Sequence, residues 1–149
     1  MSEWFVILII GFVIFQCCKD IRVEWVTWRI CRLVDLNNDQ LSALGFVFYG
    51  KSERDELMFL FHERFIFKLR HSRIYIVERR YLEMHGTMDM NIKNIEKKYR
   101  KCLYTNIKKS LKDGSYLADP AIKEQLYVVI ERSYKRYIKM RLIIYGGNQ

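Results

Sequence analysis

Residues 53–85 read ERDELMFLFHERFIFKLRHSRIYIVERRYLEMH, and the fold class turns on whether this stretch is one helix or several strands. Met58, Phe61, Phe65, Leu69, Ser72 and Ile76 follow one another at spacings of three and four, the repeat of a helical face. Leu60, Phe67, Ile74 and Tyr81 recur at seven-residue spacing and make a second stripe. A helix apolar on several faces is a central, buried one. Ser52, with Asp55 and Glu56 after it, resembles a helix start, and Gly86 suits a helix end, so the two boundaries agree. The competing pattern is β. Phe65-Ile66-Phe67-Lys68-Leu69-Arg70 and Ile74-Tyr75-Ile76-Val77 are aromatic and β-branched runs that would join at His71-Ser72, and Phe46-Val47-Phe48-Tyr49 would add a third strand. The agreement of the two boundaries decides for a helix. It predicts an all-α chain: an N-terminal transmembrane and juxtamembrane helix followed by a small helical bundle. The alternative is an α+β fold with strands within 45–80 and two C-terminal helices.

Outward from this stretch, glycines punctuate the chain. Gly50, Gly86, Gly114 and Gly146 each follow an apolar-periodic segment, where a helix C-cap is expected. Asp119-Pro120 offers an N-cap with proline at the first helical position. The predicted helices are 38–49, 53–85, 88–112 and 120–145. In 88–112, Met88, Ile92, Ile95, Tyr99, Cys102 and Asn106 form an apolar seam. Lys93, Lys97, Arg100, Lys101, Tyr104, Lys108 and Lys112 fall on the opposite side, as a candidate surface for acidic partners, anionic lipid or phosphate. In the last helix, Ile122, Leu126, Val129, Ser133, Tyr137, Met140 and Ile144 share a face that would complete the bundle.

The N-terminal run WFVILIIGFVIFQCC, residues 4–18, carries no charge. Its fifteen residues span about 22 Å as a helix, against a hydrocarbon core of about 30 Å. It reads as a membrane anchor, with Trp4, Phe5, Ile10, Phe12 and Phe15 as anchoring side chains and the bilayer thinning to match. A secretory signal would want a basic residue before the run and small residues at a cleavage site, and a buried core helix would need cover on every side. Lys19, Arg22, Trp25, Trp28, Arg29 and Arg32 follow and suit a head-group layer. Basic residues on that side alone predict a single pass with the N-terminus outside and the C-terminal domain in the cytoplasm. The expected division is 1–36 as anchor and juxtamembrane helix and 37–149 as a basic helical domain.

The 149 residues are half hydrophobic and 15% aromatic, enough to fill a core. Residues 1–85 hold 12 Lys/Arg against 11 Asp/Glu, a balance of +1, and residues 86–149 hold 14 against 6, a balance of +8. Charge placed so unevenly attracts anionic partners. Cys17, Cys18, Cys31 and Cys102 show no C-x-x-C spacing, and a small apolar role outweighs lipidation at the first two. His62-Glu63 begins a zinc-protease pattern that fails at Ile66. Asp35-Leu36-Asn37-Asn38-Asp39 begins a calcium loop that fails at Gln40 and Phe46, which leaves Asn37 or Asn38 as a cap. His62, His71 and His85 have no ligand-like spacing with the cysteines. No phosphate loop, dinucleotide fingerprint or nucleophile elbow occurs, so no cofactor, metal or enzymatic activity is expected. Two functions remain. One is a membrane-anchored interaction or regulatory protein, or an accessory subunit, contacting membrane lipid and a protein partner in a membrane complex. The other is a nucleic-acid-binding module built on the basic C-terminal half and its tyrosines at 99, 104, 127, 134 and 137.

Overall fold

The computed structural model describes residues 2–84, 86–113 and 120–146; side chains at 15–25, 113, 120, 122 and 144–146 stand outside the description. The order of elements is α1 (Ser2–Ile30), a 3₁₀ turn (Cys31–Asp35), α2 (Asn38–Ala43) and then strands β1 (Phe46–Lys51), β2 (Leu57–Phe61), β3 (Phe65–Arg70), β4 (Arg73–Glu78) and β5 (Met90–Asn91). Helices α3 (Lys97–Asp113) and α4 (Pro120–Gly146) follow. The strands form one antiparallel meander in the order β1-β2-β3-β4-β5.

The all-α expectation is therefore corrected: residues 53–85 are not a helix, and the chain is α+β. Both faces of the middle strands are covered, and that is the physical reason the β signal was hidden. On one face Phe59, Phe61, Phe65, Phe67, Leu69, Ile74 and Ile76 meet the helices in the main core. On the other, Met58, Leu60, Ile66 and Val77 lie under Tyr81, Leu82 and Met88 of the segment after β4. A strand buried on both faces reads as a continuous apolar run without alternation, and a continuous run also satisfies a helical template. His71 and Ser72 are the whole connection between β3 and β4: Arg70 pairs with Arg73 across it, and His71 takes φ 55° as the tight turn demands.

The punctuation is corrected in the same way. Gly50 follows a register shift in the β1–β2 pairing, and its φ of 116° belongs to that irregularity, not to a helix end. Ser52 pins the β1–β2 turn, its hydroxyl accepting from the backbone N–H groups of Arg54 at 3.3 Å and Glu56 at 3.1 Å. Asn37 does cap α2, in a reciprocal box with Gln40. Gly114 and Asp119 lie outside the described residues.

α3 starts at Lys97, not 88, because Ile92–Asn94 is a 3₁₀ turn and Ile95 is extended. The expected seam therefore loses its phase. Ile92 and Ile95 are buried, but within the helix the buried positions are Leu103, Ile107 and Ser110, and Cys102 is exposed. α4 begins at the predicted proline and buries Leu126, Val129, Ile130 and Tyr134 against the sheet.

α1 changes character along its length. Val26 and Ile30, with Leu33 and Leu36 after them, belong to the main core. Trp4, Phe5, Ile10 and Phe12 are each more than half exposed. Among the described residues no helix is long and apolar enough to cross a membrane. The single-pass topology, with an outer N-terminus and a cytoplasmic domain, is thereby overturned. The uncharged run stops at fifteen residues, and the same helix continues into charged sequence from Lys19. Phe15, Lys19, Arg22 and Trp25 were expected anchoring and head-group residues, and their side chains lie outside the described residues. Trp28 is exposed, with the Arg29 guanidinium 5.1 Å from its ring centre, and Arg32 pairs with Asp35 at 3.3 Å.

Candidate functional site

Two basic features stand out on this scaffold, one on α3 and one at an end of the sheet. The seventeen residues of α3 turn one stripe inward through Leu103, Ile107 and Ser110. Ser110 is fixed by its carbonyl, which accepts from Gln40 Nε2 of α2 at 2.9 Å. The opposite side is left to Lys97, Lys98, Lys101, Lys108, Lys109 and Lys112, all exposed. Only Lys98 has an acidic neighbour among the described residues, Glu96 at 3.6 Å. Lys97–Lys101 and Lys108–Lys112 are i,i+4 pairs, and Lys98–Lys101 and Lys109–Lys112 are i,i+3 pairs. Each such like-charge pair costs about 0.2–0.5 kcal/mol on a helix surface.

Of the residues expected on this face, Lys97, Lys101, Lys108 and Lys112 stand together. Lys93 is exposed on the turn before the helix. Arg100 is half-buried and donates from Nε to the Ile95 carbonyl at 3.1 Å, and burial lowers its pKa. Tyr104 is half-buried against the core. Lys98 and Lys109 were missed because the expected seam was out of phase with the helix.

Three of the expected tyrosines, Tyr127, Tyr134 and Tyr137, are occupied inside the fold. The Tyr134 hydroxyl donates to the Met88 carbonyl at 2.9 Å, the Tyr137 hydroxyl donates to the Asp89 carbonyl at 2.7 Å, and Arg64 donates to the Tyr127 hydroxyl at 3.2 Å. Burial raises the Tyr134 pKa well above the ordinary phenol range. Arg64 also pairs with Glu131 of α4, tying that helix to the β2–β3 turn.

At the end of the sheet where β3 turns into β4, Arg54, Arg70, His71, Arg73, Tyr75 and Arg141 surround a cleft of about 760 Å³, with Glu56 and Asp89 also lining it. Sequence reasoning missed this cluster. Its one local signal is the pair of arginines flanking a two-residue turn; Arg54 and Arg141 reach it only through the fold.

His62, on the β2–β3 turn at φ 51°, has its Nε2 buried without a hydrogen-bond partner, and Glu124 lies at 3.9 Å. Burial lowers its pKa from the ordinary 6.5. The Glu124 charge opposes that shift and Lys123 reinforces it through its charge. The unfolded chain therefore takes up this proton at higher pH than the folded one. The His62 contribution should be full above the ordinary value and decline as pH falls below it towards the folded value. Urea unfolding on both sides of that pH should show this slope in the parent and a flatter one in His62→Gln. Equal slopes in the two would remove His62 as the cause. Burial also pushes the Cys31 thiol up to about 11, which leaves it a poor nucleophile at neutral pH.

Comparison of the chain with protein-family models, with curated proteins and with solved structures finds no match.

Proposed function

We propose that this chain is a non-enzymatic nucleic-acid-binding module whose contact surface is the lysine row of α3. The observation that carries the reading is the run of six exposed lysines with a single acidic contact among the described residues. Among the described residues little offsets the repulsion along that row, and a phosphate backbone would relieve it. Lysine is a strongly hydrated point charge, suited to contacts with phosphate that do not depend on base sequence. With Tyr99, Tyr104, Tyr127, Tyr134 and Tyr137 packed against the core, base stacking by them adds little, so binding should be electrostatic and tolerant of sequence.

The test is salt dependence. For Lys97→Gln/Lys101→Gln/Lys108→Gln/Lys112→Gln, the slope of log K against log salt on a DNA duplex should shrink by about 3–4, close to 0.9 per lost phosphate contact. Thermal stability should hold or rise slightly, because two like-charge i,i+4 pairs are removed. Fluorescence anisotropy across a salt series measures the slope. A variant that binds as tightly and as salt-dependently as the parent would sink the proposal.

A second reading rests on a separate observation, the exposed apolar surface of α1 from Trp4 to Ile14. Contiguous apolar surface of this kind marks contact with another protein. On this reading the chain is an interaction or accessory subunit. Changing Phe5 and Phe12 to Asp should then abolish association in sedimentation velocity without unfolding the domain, since neither side chain belongs to the core. Unchanged sedimentation in the presence of an identified binding protein would speak against it.

A further inference from the structure

We propose that the cleft at the β3–β4 end of the sheet binds a phosphate monoester, held by the guanidinium groups of Arg54, Arg70 and Arg73 with the Tyr75 and Ser72 hydroxyls as further donors. This site is distinct from the lysine row and does not depend on it.

The cluster is built by the backbone. Arg70 and Arg73 are the last pair of the β3–β4 ladder, and Lys68 and Tyr75 are the next pair on the same face. Like charges placed directly opposite in an antiparallel pair repel. No carboxylate pairs with Arg54, Arg70 or Arg73 among the described residues. Arg54 stands on the turn that Ser52 pins through two backbone N–H groups, so its backbone is held at the rim of the cleft. Gly86, at φ 83°, lines the same cleft. A Cβ there would sit in ordinary contact, 3.4 Å from Asp89 Oδ2 and 3.8 Å from an Arg54 guanidinium nitrogen, so it is the positive φ that favours glycine in this wall.

The two carboxylates of the cleft are already engaged. Lys68 Nζ donates to both Asp89 oxygens, at 3.2 and 3.1 Å. Glu56 accepts from the Ser52 hydroxyl at 3.3 Å. Arg141 is held on the Tyr137 hydroxyl at 2.9 Å and adds its charge to the wall. Counting Arg54, Arg70, Arg73, Arg141 and Lys68 against Glu56 and Asp89 gives five positive and two negative charges, a balance of +3.

A compact dianion with several acceptor oxygens matches this arrangement, because planar guanidinium groups bond phosphate oxygens in pairs. The volume leaves room for an organic group beyond the phosphate. The ester could be a free metabolite or the 5′ end of a nucleic acid, and the experiment separates these.

Phenyl phosphate is titrated into the full-length chain by calorimetry at low salt. The parent should saturate below about 1 mM, and Arg70→Gln/Arg73→Gln should weaken binding by about tenfold or more. Arg70→Lys/Arg73→Lys should recover only part of the loss, since the charge returns without the fork. The four-lysine α3 variant should bind phenyl phosphate as the parent does, which keeps this result independent of the nucleic-acid proposal. Both arginines are exposed, and unchanged circular dichroism and melting would exclude loss of fold as the cause. In that four-lysine variant, 5′-phosphorylated and 5′-hydroxyl oligonucleotides are then compared. A preference for the phosphorylated end that depends on Arg70 and Arg73 assigns the ester to a nucleic-acid terminus, and no preference assigns it to a free ester. Failure to saturate by about 10 mM, or equal binding by parent and Arg70→Gln/Arg73→Gln, overturns the site.

Discussion

Phe67→Ala should lower the unfolding free energy by about 3–5 kcal/mol, read from urea unfolding followed by circular dichroism. Phe67 is fully buried in the middle of β3. Its ring meets Phe46 edge-on at 5.1 Å and Phe61 at 5.7 Å, and Phe46 and Phe61 in turn pack at 4.8 Å. Truncation removes the centre of a three-ring cluster between sheet and helices. β3 is hydrogen-bonded on both sides, so its backbone cannot move in to close the void. Phe67→Leu should cost clearly less, because most of the volume stays. Phe48→Ala, at a half-exposed position on β1, should change stability by about 1 kcal/mol or less. Similar losses at Phe48 and Phe67 would contradict the placement of the core.

Lys68→Met should destabilise by a comparable amount, about 3–5 kcal/mol, for an electrostatic reason. The Lys68 side chain is 7% exposed and that of Asp89 14%, and the pair links β3 to the segment that covers the second face of the sheet. Removing the ammonium leaves a largely buried carboxylate without the cation that hydrogen-bonds both its oxygens. Lys68→Met/Asp89→Leu should restore most of the loss, since replacing both partners with apolar groups is close to neutral where replacing one is not. The double-mutant cycle over the two positions measures the coupling. Additive single effects would mean that the pair is solvated and of little consequence.

Lys68 also shows why β3 was hard to read. Its neighbours Phe65, Ile66, Phe67 and Leu69 are apolar, so the one polar residue in the run looks like the single charge that a buried helix tolerates. In the sheet it faces away from the helices, under the segment after β4, and is satisfied by a residue 21 positions later. No local pattern records that partner. The strand alternative was nonetheless legible in residue type: the runs at 65–70 and 74–77 and their joint at His71-Ser72 match β3, β4 and the turn between them. What misled was the boundary evidence. A serine before two acids and a glycine at the far end serve a hairpin turn and a loop as well as they serve a helix.

Composition determined that the chain packs a core and that its charge collects in residues 86–149. Local sequence determined a cap at Asn37 or Asn38, the start of α4 at Pro120 and Lys97, Lys101, Lys108 and Lys112 of α3, because caps, proline and charge act over a few residues. Only the tertiary structure decided that 46–78 is a sheet, since covering both faces of its middle strands erases the alternation by which strands announce themselves. It alone decided where α3 begins, and hence which side of that helix faces out. The arginine cleft was likewise a tertiary decision: Arg54, the Arg70/Arg73 pair and Arg141 come from three places in the chain, and proximity between residues far apart in sequence arises from packing.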